Sequence, residues 1–476
     1  MKRSLFFALS LVACAKDGPV VVPPLTTARP PDLQTQTTLT GEITAPPTMA
    51  PKGRLVLGWR TPEEQREIEA GIFDMKTARA MMDRWKPGDE VDLAKTPRVP
   101  YTIEGAPVDA VPVVVLDVEH TFWLTVFGRG KGYVGHGPSG GGTVPIQPNR
   151  DPSGKRNETE PCAGPRRKLV VVTGQKVGPR RFCAALPASF ESQPKRRYPL
   201  VFMLPGFTST EMSYMRPTKS VAARIDARGD EVVLVGVDTS TPLGSTYFED
   251  GGTNGAYDAF FVKEALPILE RELHGMGGRN ARALVGQSTG GYNVLAVGFR
   301  HSDLFSVIGA SSPDAPDVEA WLFPANGRTV HRWIVGWAKL EDALGGVGQT
   351  RSWAADFSPD PSAPHGFRLP FDLATGTADE VVLAKWIAKS PHGMLKDQEV
   401  RARVKKDLSG RVYITAGRTD EFELFGPAQK FAQELNSLGI ETKWVPTDQG
   451  HGDADSRLEA AIVFALSHME KARDAR

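Results

Sequence analysis

From residue 167 onwards, the chain alternates apolar runs of strand length with stretches of helical periodicity. Eight runs have the length of a strand, namely KLVVVT, RFCAALP, PLVFMLP, EVVLVGVD, RALVG, FSVIGA, RVYITAG and ETKWVPT. The stretches after the third run include AYDAFFVKEALPILEREL at 256–273, which has the apolar spacing of a helix. Strands that alternate with helices build a mostly parallel sheet with helices on both faces. We therefore predict an α/β domain over residues 166–476, with an insertion at about 311–405 that caps its pocket.

One serine stands where a predicted strand meets a predicted helix. Ser288 in GQSTGG follows the run ARALVG directly, and the residues after it are small and then helical in pattern. Such a sharp turn exposes the serine hydroxyl, and it needs glycines at 286 and 290 because side chains there would collide with the neighbouring strand and helix. This placement predicts that Ser288 is a nucleophile on a strand-to-helix elbow.

A serine hydroxyl is a weak nucleophile at neutral pH, so it requires a base and an acid that orients the base. His451 in DQGHGD follows the last predicted strand, and Asp420 in TAGRTDEF follows the strand before it. The chain order is then Ser, Asp, His, as in α/β-hydrolases. Glu421, Glu423 and Asp314 remain alternative acids, and a surface-loop histidine remains the alternative for His451.

The oxyanion that forms when a serine attacks an ester needs two donors already aimed at it. The backbone N–H of Thr289 is one predicted donor, and the N–H of Phe207 in PLVFMLPGF is the other, unless LPGF is an ordinary turn. No His, Cys and Asp cluster has the spacing of metal ligands, and this mechanism needs no metal. We therefore expect neither a metal nor a cofactor.

Several motifs in this order resemble one family. They are LPGFTSTEMSY at 204–214, VDTSTPLG at 237–244, the helix from 256, GQSTGG, GRTDEF and DQGHGD. Together they are similar to the putative-esterase family of α/β-hydrolases, which includes esterase D (S-formylglutathione hydrolase), feruloyl and acetylxylan esterases, enterochelin esterases and mycolyltransferases. The resemblance covers roughly residues 180–470. Ser209 stands where S-formylglutathione hydrolases usually have a cysteine, so that particular activity is not expected.

The resemblance also implies a fold and roles for individual residues. It implies an α/β-hydrolase fold, with Ser288 as nucleophile, Asp420 and His451 as its partners, and Phe207 and Thr289 as oxyanion donors. The expected reaction is hydrolysis of a carboxylic ester through an acyl-enzyme. Transfer of the acyl group to another acceptor uses the same residues and stays open, as does a non-catalytic lipoprotein that only binds at a surface.

The N-terminus has the pattern of an export signal. Lys2 and Arg3 precede the short apolar run LFFALSLV, which suits a secretory signal and is too short to span a membrane. The sequence LVAC at 11–14 resembles the lipobox of bacterial lipoproteins, which predicts a signal peptide over residues 1–13 and a lipid on Cys14. An ordinary signal peptide with a chance cysteine is the alternative. Ala15 favours the outer membrane over retention at the inner one, so we expect an outer-membrane, periplasmic or cell-surface lipoprotein.

Between this signal and the α/β domain lie two further regions. Residues 14–52 are rich in Pro and Thr and poor in large apolar groups, which predicts an extended tether. Residues 53–165 are predicted to form an accessory region. It begins with helical spacing at 61–86. The β-rich runs VPVVVLDV and FWLTVFG follow within 108–149, and such runs are typical of a small β-sandwich. Cys162 and Cys183 remain as a candidate disulfide, with two free thiols as the alternative.

The net charge, the length of the apolar runs and the tryptophans of the insertion indicate which partners and substrates to expect. A net charge of +1, from 57 basic and 56 acidic residues, creates no long-range field that would attract nucleic acid. No apolar run approaches the roughly 20 residues that span a bilayer, so membrane contact is expected through the N-terminal lipid alone. The substrate is expected to be a small-molecule or polysaccharide-linked ester. Tryptophans of the insertion are interpreted as core rather than as a pocket for an aromatic or sugar-linked group; they are Trp321, Trp333, Trp337, Trp353 and Trp386.

Overall fold

The computed structural model describes residues 36–45, 51–69, 84–118, 133–148, 162–217, 220–323, 327–452 and 454–474. The signal peptide at 1–13, Cys14, the tether residues 15–35 and 46–50, and the run FWLTVFG lie outside the described residues. By its contacts the chain forms two compact units. The first contains the residues up to Glu158 together with Gly336–Val347, and the second contains Thr159–Val335 and Gly348–Arg476.

In its described part the first unit contains two sheets, as expected for a β-rich accessory region. One sheet has the strand order β4-β1-β7 and the other has the order β3-β2-β5-β6-β8. The strands are β1 (Gln36–Thr44), β2 (Lys52–Arg60), β3 (Lys86–Asp92), β4 (Arg98–Pro107), β5 (Val111–Asp117), β6 (Tyr133–His136), β7 (Val144–Pro145) and β8 (Gln147–Pro148). Leu39 and Ile103 from the first sheet share one apolar cluster with Leu55 and Val114 from the second. The two sheets therefore enclose a core of their own, as in a small sandwich.

Two predictions for this region need correction. The tether predicted over 14–52 is wrong for residues 36–44, which form β1 and pair along β4. The reason is that QTTLTGEIT places Leu39 and Ile43 on one face, where both are buried, so the threonines belong to a strand. The helix predicted at 61–86 begins as α1 (Pro62–Glu69), and residues 70–83 lie outside the described residues. Its predicted end is wrong, because β3 already begins at Lys86.

The second unit contains an eight-stranded sheet with the order β19-β18-β17-β16-β12-β13-β10-β9. These strands are β9 (Arg167–Gly174), β10 (Gly178–Ala185), β12 (Leu200–Leu204), β13 (Val233–Val237), β16 (Arg282–Gln287), β17 (Val307–Ser311), β18 (Val412–Gly417) and β19 (Thr442–Thr447). All eight predicted runs form this sheet. β9 and β10 make an antiparallel hairpin, β10 pairs antiparallel with β13, and the other neighbours are parallel. The predicted α/β architecture is confirmed.

Short pairs and helices complete the second unit. β11 (Arg196–Arg197) pairs with β20 (Arg473–Asp474), and β14 (Ser240–Thr241) pairs with β15 (Gly244–Ser245). The helices are α2 (Val221–Ala227), α3 (Tyr257–Ala259), a π-helical turn (Phe260–Ala265), α4 (Leu266–Glu272), α5 (Thr289–Arg300), α6 (Val318–Leu322), α7 (Arg332–Leu344), α8 (Gln349–Phe357), α9 (Glu380–Lys389), α10 (Pro391–Met394), α11 (Gln398–Leu408), α12 (Phe425–Ser437) and α13 (Ala454–His468), of which α7 continues into the first unit.

Both faces of the large sheet are covered by apolar packing. Along β12, Leu200, Phe202 and Leu204 join one buried cluster, whereas Val201 and Met203 join another. Successive side chains of a strand point to opposite faces, so the two clusters lie on opposite sides of the sheet. A strand that is buried on both faces has a continuous apolar sequence, and this is why the apolar run PLVFMLP predicted β12 correctly.

The insertion between β17 and β18 is mainly helical. Helix α11 ends it, and its Val404 and Leu408 join the main core, so this helix is a crossover of the sheet and the predicted boundary at 405 falls inside it. Trp353 and Trp386 are fully buried, in agreement with their interpretation as core. Among the described residues, no helix combines the length and the apolarity that crossing a membrane requires.

A disulfide joins Cys162 to Cys183, with 5.6 Å between their Cα atoms. Cys183 is buried on β10, so the bridge ties the beginning of the described second unit to the large sheet. For a sequence separation of 21 residues, restricting the unfolded chain stabilises the fold by about 3 kcal/mol. Such a bond persists in an oxidising compartment.

Candidate active site

Ser288 occupies the turn between β16 and α5 with a strained backbone. Its φ is 57° and its ψ is −125°, a combination that non-glycine residues adopt at a cost of roughly 1–3 kcal/mol. A Cβ on Gly290 would lie 1.9 Å from the carbonyl oxygen of Leu204, and a Cβ on Gly286 would lie 2.4 Å from that of Gly290. Both glycines are therefore required by the turn, as the sequence predicted.

His451 and Asp420 lie in the loops after β19 and β18, and their side chains meet. Nδ1 of His451 is 2.9 Å from Oδ2 of Asp420. Burial raises the pKa of Asp420, but the hydrogen bond from His451 and the charge of the imidazole outweigh it and hold the pKa below the usual value. A carboxylate at Nδ1 keeps the proton on that nitrogen, which leaves Nε2 able to accept a proton.

Backbone contacts hold the His451 loop beside the serine turn. The N–H of His451 donates to Oε2 of Glu421 at 2.5 Å, so Glu421, an alternative acid in the sequence, holds the main chain. Gln287 donates from Nε2 to the carbonyl oxygen of His451 at 2.7 Å. The buried guanidinium of Arg457 donates to the same oxygen at 3.0 Å and to the carbonyl of Gly450 at 2.9 Å. Because Gln287 precedes the serine, its contact ties the two loops together.

The hydroxyl of Ser288 contacts Asp314, the other alternative acid. Oγ of Ser288 donates to Oδ1 of Asp314 at 3.2 Å. Oδ2 accepts hydrogen bonds from Thr289 Oγ1 at 2.7 Å, Gln349 Nε2 at 3.1 Å and the hydroxyl of Tyr247 at 3.4 Å. Burial raises the pKa of Asp314 above its usual value, although hydrogen bonds from Thr289 and Ser288 act in the opposite direction. Asp314 thus faces the serine hydroxyl, whereas Asp420 faces the histidine ring.

Among the described residues, no side-chain hydrogen bond joins Ser288 to His451. Hydrogen bonds between a catalytic serine and its base are often long or poorly aligned before substrate binds, so the lack of this bond does not argue against such a pair. In this structure the serine hydroxyl points to Asp314 and not to His451.

The predicted oxyanion donors lie on the two segments that flank the serine. Thr289 is the first residue of α5, where backbone N–H groups carry the positive end of the helix dipole. Phe207 follows Gly206, whose missing Cβ would lie 3.3 Å from Cβ of Ser288. Thr208 has a φ of 57° and donates its N–H to Oγ of Ser245 at 3.0 Å, which fixes the turn that contains Phe207.

Sequence reasoning missed three residues of this site. Gln287 lies between the glycine and the serine of the elbow motif, where any residue satisfies the pattern. Arg457 lies on α13 and has no local signal, because its partners are carbonyls in the loop before the helix and the hydroxyl of Ser311 on β17. Gln349 comes from the insertion, far along the chain from Asp314. Among the described residues, no group of His, Cys, Asp and Glu side chains could hold a metal ion.

An aromatic cluster packs around Tyr247 behind Asp314. The ring of Tyr247 lies 5.1 Å from that of Trp353, 5.5 Å from that of Tyr292 and 5.8 Å from that of Phe357. The N–H of Tyr247 donates to the carboxyl group of Asp356 on α8. Tyr247 is therefore held by both its ring and its main chain.

The carboxyl group of Asp356 should make stability depend on pH. Burial raises the pKa of Asp356 from the ordinary 3.8 to about 7. Its contribution to stability is therefore full below pH 3.8 and is lost as the pH rises through 7. Asparagine does not titrate, so the free energy of unfolding of Asp356→Asn, relative to wild type, should increase from pH 4 to 8. Chemical unfolding at each pH measures this difference.

A second variant provides the control for that experiment. Asp360 is partly exposed, and hydrogen bonds from Ser362 hold its pKa below 3.8, outside the tested range. The stability of Asp360→Asn relative to wild type should stay constant from pH 4 to 8. A constant difference for Asp356→Asn as well would contradict the raised pKa.

Comparisons with known proteins identify a family for most of the second unit. The model of the family described as Putative esterase matches residues 177–437, which include Ser288 and Asp420, while His451 lies beyond its end. No curated protein sequence matches the chain.

Solved structures that match the chain include a ferulic acid esterase with 20% identity and a TM-score of 0.43, covering 64% of this chain and 98% of that chain. An S-formylglutathione hydrolase from Staphylococcus aureus has 13% identity and a TM-score of 0.43, and the match covers 63% of this chain and 98% of that chain. A siderophore hydrolase from Aspergillus nidulans has 13% identity and a TM-score of 0.38, and the match covers 65% of this chain and 97% of that chain. The family match alone spans more than half of the chain, so the resemblance seen in the motifs is confirmed, and the protein belongs to the putative-esterase family of α/β-hydrolases and is a serine ester hydrolase by class.

Proposed function

We propose that the protein is an exported, lipid-anchored serine esterase that cleaves carboxylic esters through an acyl-enzyme on Ser288. The observation that supports the proposal most directly is a hydrogen bond between the serine turn and the loop of His451. Ser288 occupies a strained strand-to-helix turn, and Gln287 in the same turn bonds the backbone of His451, whose ring is paired with Asp420. Family membership supports ester hydrolysis as the reaction.

In the proposed first step, Oγ of Ser288 attacks the ester carbonyl carbon and forms a new C–O bond. The hydroxyl proton passes to Nε2 of His451, and the imidazolium is stabilised by the carboxylate of Asp420. His451 then protonates the leaving oxygen as the bond to the alcohol breaks. In the second step His451 takes a proton from water as the water oxygen attacks the acyl carbon. His451 then returns the proton to Oγ as the bond to Ser288 breaks, which releases the carboxylic acid and free Ser288.

The negative charge on the carbonyl oxygen requires donors during both steps. We assign this role to the backbone N–H groups of Phe207 and Thr289. The N-terminal position of Thr289 on α5 and the fixed turn at Thr208 support the assignment. Donors fixed in advance stabilise such an oxyanion without reorganisation during the reaction.

One experiment tests the reaction class on the full-length protein. It is treated with a fluorophosphonate, the labelled peptide is identified by mass spectrometry, and a panel of short p-nitrophenyl esters is assayed. Labelling of Ser288 together with release of p-nitrophenol supports the proposal. Inertness towards the probe and every ester overturns it in favour of a binding protein. Added alcohols that take the acyl group in preference to water would identify the reaction as acyl transfer.

The anchoring part of the proposal depends on the sequence LVAC, supported by a disulfide that suits an exported protein. Cells fed with labelled palmitate should incorporate it into the wild type and not into Cys14→Ser, because that change removes the thiol to which the lipid is attached. The variant should also move from the membrane to the soluble fraction. Equal labelling of both proteins would contradict lipid attachment at Cys14.

A further inference from the structure

Asp314 presents two carboxyl oxygens with different surroundings. Oδ2 accepts from Thr289, Gln349 and Tyr247, which come from α5, α8 and the loop after β15. Oδ1 accepts from the hydroxyl of Ser288, and among the described residues Ser288 is its one partner. Asp314 is only 5% exposed, so water does not readily replace a lost hydrogen bond.

The carboxyl group has little freedom to rotate. Three donors from separate elements converge on Oδ2, and the N–H of Asp314 donates to the carbonyl oxygen of Ser288 at 3.1 Å. Tyr247, one of those donors, is clamped by the aromatic cluster and by Asp356. Oδ1 is therefore directed at the nucleophile whether or not Ser288 still has its proton.

The proposed reaction removes the donor from Oδ1. When Ser288 is acylated, its hydroxyl proton passes through His451 to the departing alcohol, and Oγ becomes an ester oxygen without hydrogen. A buried acceptor that loses its donor is destabilised, so the acyl-enzyme is penalised unless another donor reaches Oδ1. The acyl group is the part of the substrate that stays on Oγ throughout this state.

We propose that Asp314 makes the enzyme selective for 2-hydroxyacyl esters, whose hydroxyl group replaces that of Ser288 on Oδ1. A hydroxyl on the carbon next to the carbonyl is held close to the esterified Oγ and so lies within reach of the oxygen that Oγ contacted. The substrate donor then satisfies Oδ1 from the first transition state until the acid is released. This inference rests on the proposed function of Ser288.

The wild-type protein provides the first test. Ethyl 2-hydroxypropanoate and ethyl 2-methoxypropanoate are compared by pH-stat titration of the released acid. The two substituents withdraw electrons similarly, but the methoxy group cannot donate a hydrogen bond. We expect kcat/KM for the hydroxy ester to exceed that for the methoxy ester by roughly tenfold or more, the size of effect that an unsatisfied buried acceptor produces. Equal values would overturn the inference.

Asp314→Asn provides the second test. Three donors converge on Oδ2, so the amide oxygen should take that position and place the amide nitrogen where Oδ1 was. The nitrogen donates to hydroxy and methoxy groups alike, so the ratio of the two kcat/KM values should fall to about one. Each ratio is taken within one protein, so a general change in Ser288 reactivity cancels. A ratio that stays at the wild-type value would overturn the inference.

Asp317→Asn is the matched control. It makes the same chemical change three residues away, where the side chain caps α6 through the N–H of Ala320, a role that asparagine also fills. Its ratio should equal that of wild type. The wild-type comparison decides the question even if Asp314→Asn does not fold.

Failure of this inference differs from failure of the proposed function. If the methoxy and hydroxy esters are cleaved equally and Ser288 is labelled by a fluorophosphonate, the esterase stands and the selectivity is wrong. If no ester is cleaved and Ser288 is not labelled, the esterase proposal fails and the selectivity with it.

Discussion

Replacing Ser288 by alanine should lower kcat/KM for p-nitrophenyl esters by roughly 10⁴- to 10⁶-fold, the loss seen when a nucleophile that acts with a base is removed. Alanine fits the turn as well as serine does, because the backbone N–H of residue 288 still reaches the carbonyl oxygen of Ser311. The variant should also show no fluorophosphonate adduct. Thermal unfolding at a temperature close to that of wild type would show that the fold is intact.

Ser302→Ala is the control for this experiment. Ser302 follows the opposite end of α5 and donates its hydroxyl to Asp407, away from the proposed site. Its esterase activity and fluorophosphonate labelling should match those of wild type. A Ser288→Ala protein that kept more than about a tenth of the wild-type activity would exclude an acyl-enzyme on Ser288.

Asp420→Asn should lower kcat by roughly 10³- to 10⁴-fold with little change in KM. An amide nitrogen facing His451 would donate to Nδ1 and shift the imidazole proton to Nε2. In that tautomer Nε2 cannot accept the proton of Ser288. The measurement is steady-state hydrolysis of p-nitrophenyl butyrate with the amount of folded enzyme determined separately.

Glu421→Gln distinguishes the two neighbouring acids. Glu421 contacts the backbone N–H of His451, and a glutamine oxygen can accept the same bond. We expect its kcat to fall less than about tenfold, because the imidazole tautomer is unaffected. If Glu421→Gln lost more activity than Asp420→Asn, Glu421 would be the orienting acid and the assignment of Asp420 would be wrong.

Local patterns predicted the large sheet and the serine turn because both depend on residues adjacent in sequence. β12 and β16 are buried on both faces and read as apolar runs, and the glycines around Ser288 are demanded by contacts of the turn itself. The loop positions after β18 and β19 likewise predicted the two side chains that meet there, Asp420 and His451.

Long-range contacts account for what the sequence could not predict. Asp314 was equivalent to Asp420 as an acid after a strand, and only the folded chain separates them, with one on the serine and the other on the histidine. Arg457 donates hydrogen bonds to backbone carbonyl groups. Every residue has such a group, so no sequence pattern predicts this contact. The sequence of β1 predicts a tether because threonine is common in both extended linkers and strands, and the partner strand β4 lies more than 50 residues away.

The aromatic cluster gives the site an optical signal of its own. Trp353 contacts Tyr247, whose hydroxyl reaches the carboxyl group that receives the hydrogen bond of Ser288. Any change in the covalent state of that serine therefore alters the electric field two contacts away from an indole ring. Tryptophan emission recorded by stopped flow would follow the rise and decay of an acyl-enzyme on unlabelled protein, with substrates that release no coloured product.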